Sequence, residues 1–287
     1  MSHTIGIIGG SGLYDLDGLE DCREEQVETP FGKPSDSLMR GRLGDTDLVF
    51  LARHGRGHVH SPTSVPYRAN IWAMKAAGVD WIISVSAVGS LRQEIEPGHV
   101  VVVDQFIDRT RQRASSFFDR GIVAHISFGD PFCPALRRYL LEAAEGEGAT
   151  VHDGGTYVAM EGPAFSTRAE SNLYRSWGAH VIGMTNLPEA KLAREAEISY
   201  ATLAMSTDYD CWHPDHGNVT VEQVIGVLMQ NVALAKRILL RAVPLIAAHE
   251  GPPPFHKALA NALITDPNAV DPVQRARLDL LVRKYLG

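Results

Sequence analysis

The stretch Ile198-Ser199-Tyr200-Ala201-Thr202-Leu203-Ala204-Met205-Ser206-Thr207-Asp208-Tyr209-Asp210 decides how this chain is read. Its apolar run over 198–205 predicts a buried core strand. At the end of that run two carboxylates emerge. Residues two apart on an extended segment point the same way, so Asp208 and Asp210 face one spot, where each raises the cost of ionising the other. One of them then holds a proton near neutral pH, and the pair is donor and acceptor at once. Adenine offers the matching edge, an N7 acceptor beside an exocyclic amino donor, whereas a 6-oxopurine offers two acceptors there. A strand-end turn, for which Asp is a favoured residue, accounts for the same residues.

Outward from this strand, the chain alternates apolar strands with helices, the pattern of one α/β domain. Towards the N-terminus, residues 4–8 read as a strand running into the loop Gly9-Gly10-Ser11-Gly12, whose glycines let backbone N–H groups approach a ligand. Neither a GxGxxG fingerprint nor a P-loop is completed there, so an ordinary tight turn is the alternative. Residues 37–42 and 47–53 predict a hairpin around Gly44-Asp45-Thr46. Its second strand ends on Arg53-His54, a guanidinium beside an imidazole that makes a good oxyanion cradle, or else a solvated charge after a core strand. A helix over 67–77, stopped by Gly78, precedes a strand over 81–85. That strand leads into a second small-residue loop, Ser86-Ala87-Val88-Gly89-Ser90, and ligands gather at such strand ends.

Further strands are predicted over 100–103, 157–160 and 181–184, with helices over 134–144 and 167–177. Phe165, just before a helix, stacks on a base or belongs to the core. Thr185-Asn186 leads into a helix with Pro188 in its first turn and Glu189 beside it, which makes Thr185 either a phosphate contact or a plain N-cap. A long helix over 219–243 follows. The Gly251-Pro252-Pro253-Pro254 linker then opens a tail over 251–287 with two short helices, 255–263 and 272–286.

Composition bounds the function. The chain has 287 residues, 45% of them hydrophobic, and a formal net charge of -7, which argues against nucleic acid or an anionic membrane as partner. No run approaches the length of a membrane span, and the N-terminal segment is not a secretory signal. Cys22, Cys133 and Cys211 are widely spaced, as suits a reducing cytoplasm better than a disulfide framework or zinc site. His58 and His60 have the His-x-His spacing of a metal site, but the rest of the ligand set is missing nearby.

Four segments together resemble the methylthioadenosine phosphorylase family: Ile5-Gly6-Ile7-Ile8-Gly9-Gly10-Ser11-Gly12-Leu13, Phe50-Leu51-Ala52-Arg53-His54-Gly55, Met160-Glu161-Gly162-Pro163-Ala164-Phe165-Ser166-Thr167-Arg168-Ala169-Glu170 and Met184-Thr185-Asn186-Leu187-Pro188-Glu189-Ala190. The match runs in collinear order from residue 5 to about residue 240. It implies a single-domain nucleoside phosphorylase fold, a twisted mixed β-sheet surrounded by helices, in a cytoplasmic homotrimer. The implied reaction splits methylthioadenosine with phosphate into adenine and 5-methylthioribose 1-phosphate, with no metal or organic cofactor. Carried over, Ser11, Arg53, His54, Ser86, Ala87 and Thr185 hold phosphate. Phe165 stacks on the purine, Met184 lies against the ribose, and Asp208 and Asp210 address N7 and the 6-amino group, with Asp208 as the acid. Val221, Val224 and Ile225 line the methylthio pocket, and His125 reaches in from the neighbouring subunit. Two other readings stay open: a 6-oxopurine nucleoside or methylthioinosine phosphorylase, and a metal-dependent hydrolase built on His58, His60 and His216.

Overall fold

In the computed structural model, residues 3–14, 16–214 and 221–286 are described; the side chains of Ser11, residues 221–225 and Leu228 lie outside the described set. The chain opens with β1 (Thr4–Gly9), a 3-10 turn, β2 (Glu20–Glu25), β3 (Leu38–Leu43), β4 (Thr46–Ala52) and helix α1 (Tyr67–Ala76). Then come β5 (Trp81–Ser90), β6 (Val100–Val102), β7 (Gln105–Arg109), α2 (Pro134–Gly146), β8 (Val151–Asp153) and β9 (Thr156–Met160). The remainder is α3 (Arg168–Ser176), β10 (Val181–Gly183), α4 (Asn186–Glu195), β11 (Ser199–Asp208), α5 (Val221–Ala247), α6 (Pro272–Arg277) and α7 (Asp279–Leu286).

Among the described residues all strands join one mixed sheet, and β5 is its hub. It pairs in parallel with β1 and β11, and its far end turns antiparallel onto β10. Side chains on the central strands alternate between two cores. On β11, Tyr200 and Ala204, with Ile198 just before it, enter one with α1 and α4, while Ala201, Leu203 and Met205 enter the other with α2 and α5. A strand buried on both faces needs apolar residues at every step, which is why its sequence reads as an unbroken run.

Three local expectations are corrected. Residues 86–90 are not a loop but the last half of β5, because small residues there let β10, β11 and the Asp208 carboxylate crowd one strand end. A Cβ on Gly89 would stand 2.9 Å from Asp208 Oδ1. The exposed edge strand β2 and the short strands β7 and β8 carry no clear alternation and were not expected. Residues 255–263 form turns rather than a helix. Beyond Gly251 the chain packs Leu259, Ala262, Leu278, Leu281 and Val282 into the α1 core. No described helix is long and apolar enough to cross a membrane.

Candidate active site

A cavity of about 580 Å³ opens at the C-terminal ends of β1, β4, β5 and β11, where ligands gather in parallel α/β sheets. It brings together Arg53, His54, Ser86, Ala87, Phe165, Met184, Thr185, Asp208 and Asp210 from strand ends far apart in sequence. Gly9, Gly10 and Gly12 line the same wall. Space is tight there: a Cβ on Gly9 would meet Leu13 Cδ1 at 2.5 Å, and Leu13 would have to shift. The expected contacts from Ser11, Val221, Val224 and Ile225 rest on side chains outside the described set, as does His216. His125 is exposed and does not line this chain's own cavity.

The Arg53 end of the cavity is built on a buried network that the sequence reading missed. Arg53 Nε donates to Glu189 Oε2 at 2.8 Å and Nη2 to Glu189 Oε1 at 3.0 Å. The same guanidinium reaches Ser84 Oγ at 2.6 Å, and Nη1 donates to the Val85 carbonyl at 3.1 Å. One Nη1–H is left without an acceptor among the described residues. Burial would lower the Arg53 pKa, but the charge and hydrogen bonds of Glu189 outweigh it and the net shift is upward. Glu189 Oε1 also accepts from the Ser84 and Tyr200 hydroxyls, both at 2.9 Å. Glu189 is thus more than the acidic residue of a helix start: it aims Arg53.

His54 adds a neutral group. Its Nδ1 lies 2.8 Å from the His60 carbonyl, and its ring stacks on His58 at 4.2 Å between centroids. Burial, with the nearby Arg53 and His58 charges adding to it, pushes its pKa down to about 4. Among the described residues no group of three or more His, Cys, Asp and Glu is placed to hold a metal ion. Thr185 is buried at the start of α4, and its hydroxyl does not cap that helix, so the capping role considered for it is not what the side chain does.

At the opposite end stands the carboxylate pair, formed differently from the simple period-two expectation. A bulge lies between Ser206 and Asp208, and Asp210 sits past the strand at φ 49°. Asp208 Oδ1 accepts the Asp210 N–H at 2.7 Å, and Oδ2 accepts the Thr207 hydroxyl at 2.7 Å. The strand-end turn and the ligand-facing pair are therefore one structure. Burial raises the pKa of both carboxyls, and for Asp210 the Asp208 charge pushes the same way. Among the described residues Asp210 Oδ2 is buried with no hydrogen-bond partner, although the Ser171 and Ser166 hydroxyls stand close enough to oppose the upward push of burial on its pKa; a buried oxygen left so costs about 1–3 kcal/mol.

Between these ends, Met205, Val232 and Ala235 form an apolar wall, and Asn231 ties α5 to the Ser206 carbonyl at 2.9 Å. Val232 extends the face of Val221, Val224 and Ile225 by two more turns, a continuation of helical spacing that could have revealed it. Phe165 stands half exposed beside Met160, just before the Thr167–Glu170 capping box that starts α3. Arg113, buried beneath this side, donates to the carbonyls of Met184, Leu187 and Glu161 and pairs with the Glu161 carboxylate at 3.1 Å. No local pattern in the sequence marks it.

A model of the phosphorylase superfamily matches residues 4–244. The S-methyl-5′-thioadenosine phosphorylase of Geobacter sulfurreducens is 58% identical over 287 residues, covering 100% of both chains. That of Synechocystis sp. is 58% identical over 288 residues, 99% of this chain and 88% of its own. The crystal structure of a methylthioadenosine phosphorylase sourced from an antarctic soil metagenomic library superposes with a TM-score of 0.93 at 48% identity, over 98% of this chain and 99% of that one. The Schistosoma mansoni methylthioadenosine phosphorylase in complex with adenine gives 0.83 at 34% identity, over 98% of each chain.

Proposed function

The chain belongs to the phosphorylase superfamily, and from that premise we propose that its cavity splits S-methyl-5′-thioadenosine with phosphate, giving adenine and 5-methylthioribose 1-phosphate. The observation that carries the choice of base is Asp210 Oδ2, buried and without a hydrogen-bond partner among the described residues, beside a second carboxyl whose pKa is raised. An exocyclic amine supplies the missing donor, and a protonated Asp208 supplies one to N7; a 6-oxo group would instead set acceptor against acceptor. Phe165 stacks on the base, Met184 lies against the ribose, and the wall of Met205 and Val232 takes the methylthio group with Val221, Val224 and Ile225. Arg53, His54, Ser86, Ala87, Thr185 and Ser11 take phosphate.

In this reading the C1′–N9 bond breaks with its electron pair going to adenine, and Asp208 hands its proton to N7 as charge builds on the ring. General acid assistance of this kind is worth about 10²–10⁴-fold. Phosphate held near C1′ attacks the cationic sugar without a covalent enzyme intermediate, so its advantage is proximity. Hydrogenphosphate loses one proton overall and adenine gains one.

The same proposal extends to a cytoplasmic homotrimer serving methionine and purine salvage, in which the exposed His125 enters a neighbour's cavity. Residues 1–250 would form the catalytic domain and 251–287 an accessory tail. Release of free base, adenine from methylthioadenosine and adenosine and hypoxanthine from inosine, measured with and without phosphate, tests the reaction. Release from methylthioadenosine that needs no phosphate would overturn it.

A further inference from the structure

The hydrogen bond from His54 to the His60 carbonyl fixes where the imidazole proton sits. A carbonyl only accepts, so at 2.8 Å the Nδ1 atom must carry the hydrogen. In the neutral ring Nε2 is then a bare lone pair. His54 lines the cavity and Nε2 has no partner among the described residues. The other groups read here as phosphate contacts, the Arg53 guanidinium and the Ser86 and Thr185 hydroxyls, can all donate to an anion. A hydroxyl can also accept, but His54 Nε2 is the one group among them that can only accept.

An acceptor in an anion site has one use: it receives a hydrogen bond from an anion that still carries a proton. We infer that His54 Nε2 accepts the P–O–H of hydrogenphosphate, so that the site selects a protonated tetrahedral oxyanion over an equally charged one with no proton. This rests on reading that end of the cavity as the phosphate end. The ring stays neutral in the free protein at working pH, with its pKa held near 4 by burial and by the Arg53 and His58 charges. The inference also gives the phosphate proton a destination. As the C1′–O bond forms, that proton already points at a nitrogen lone pair, while the proton from Asp208 has gone to adenine.

Sulfate is the probe, since it matches hydrogenphosphate in charge and shape but has no proton to donate. In the wild type, sulfate should compete with phosphate at a Ki about 10- to 100-fold above the phosphate KM, the worth of one charge-assisted hydrogen bond lost and one lone pair left facing an anion. Arsenate, which keeps its proton, should support adenine release with a KM close to that of phosphate. His54→Ala should raise the phosphate KM while leaving the sulfate Ki unchanged or lower, collapsing the ratio; a merely structural role would weaken both anions alike. Sulfate binding the wild type as well as phosphate does, or both anions weakening by one factor in His54→Ala, overturns the inference. Adenine release from methylthioadenosine that requires no phosphate at all would instead overturn the phosphorylase reading.

Discussion

Arg53 and Glu189 meet in a two-point ion pair, 2.8 and 3.0 Å long, with both side chains almost wholly withdrawn from solvent. Truncating one partner of such a pair leaves the other charge buried alone, at a cost of about 3–5 kcal/mol. Glu189 does not line the cavity, so Glu189→Ala should lower stability by that amount and raise the phosphate KM more than the nucleoside KM, because Arg53 loses its aim. In the double variant Arg53→Met with Glu189→Leu, stability should largely return while phosphate affinity does not. Denaturant unfolding and initial rates on the three proteins check this. Recovery of phosphate affinity in the double variant would show that Arg53 does not serve the anion.

Glu195 links stability to pH. Its carboxyl accepts the Ser116 hydroxyl and the Phe117 N–H, each at 2.7 Å, and burial outweighs those bonds, pushing the pKa from 4.5 up to about 7. Between those values the folded state holds a proton that the unfolded state has released. Stability from this group is thus fully present below about pH 4.5 and is lost as pH rises through 7, by about 3 kcal/mol in all. Unfolding free energies of Glu195→Gln from pH 5 to pH 8 should fall less steeply than those of the wild type. Parallel curves for the two proteins would remove Glu195 as the cause.

The apolar wall should discriminate at the 5′ position. A 5′-hydroxyl placed against Met205 and Val232 has no partner there and costs about 1–3 kcal/mol, so methylthioadenosine should exceed adenosine in kcat/KM by about 5- to 150-fold. Val232→Thr should narrow that margin by offering a hydroxyl. An unchanged margin in Val232→Thr would place the 5′ group elsewhere.

How far the sequence leads depends on whether a residue's role is local. The core strands β1, β4 and β11 were readable because burial forces apolar residues onto them, and the hairpin because its turn residues announce it. The exposed strand Glu20-Asp21-Cys22-Arg23-Glu24-Glu25 is held by backbone pairing with β3 at a solvated edge, and leaves no hydrophobic pattern to find. Glu189 lies 136 residues from the guanidinium it orients, and Arg113 lies 71 from the Met184 carbonyl it holds. Such partners are set by topology alone. The aspartate pair was legible by residue type, while its geometry came from a bulge and a left-handed Asp210 that spacing does not reveal.

Asp208→Asn keeps the shape of the side chain and removes its acid. Turnover should fall by about 10²–10⁴-fold, with a smaller effect on nucleoside binding. In the wild type, burial raises the Asp208 pKa, and kcat should decline as pH rises through that value because the protonated form does the work. Asp208→Asn should lose this alkaline decline. Normal turnover in the variant would leave the carboxyl as a turn residue only.

In the proposed function buried carboxylates read the base as adenine, and Asp210→Asn is the sharpest probe of that role. Among the described residues Asp210 Oδ2 has no donor, whereas an amide there can itself donate to a 6-oxo group. The measurement is the ratio of kcat/KM for methylthioadenosine to that for methylthioinosine, in the wild type and in Asp210→Asn. The ratio should be well above one in the wild type and fall by about tenfold or more in the variant, the worth of exchanging one satisfied buried hydrogen bond for a mismatched one. A ratio that does not move would contradict that role, and the base would then be read by groups other than this pair.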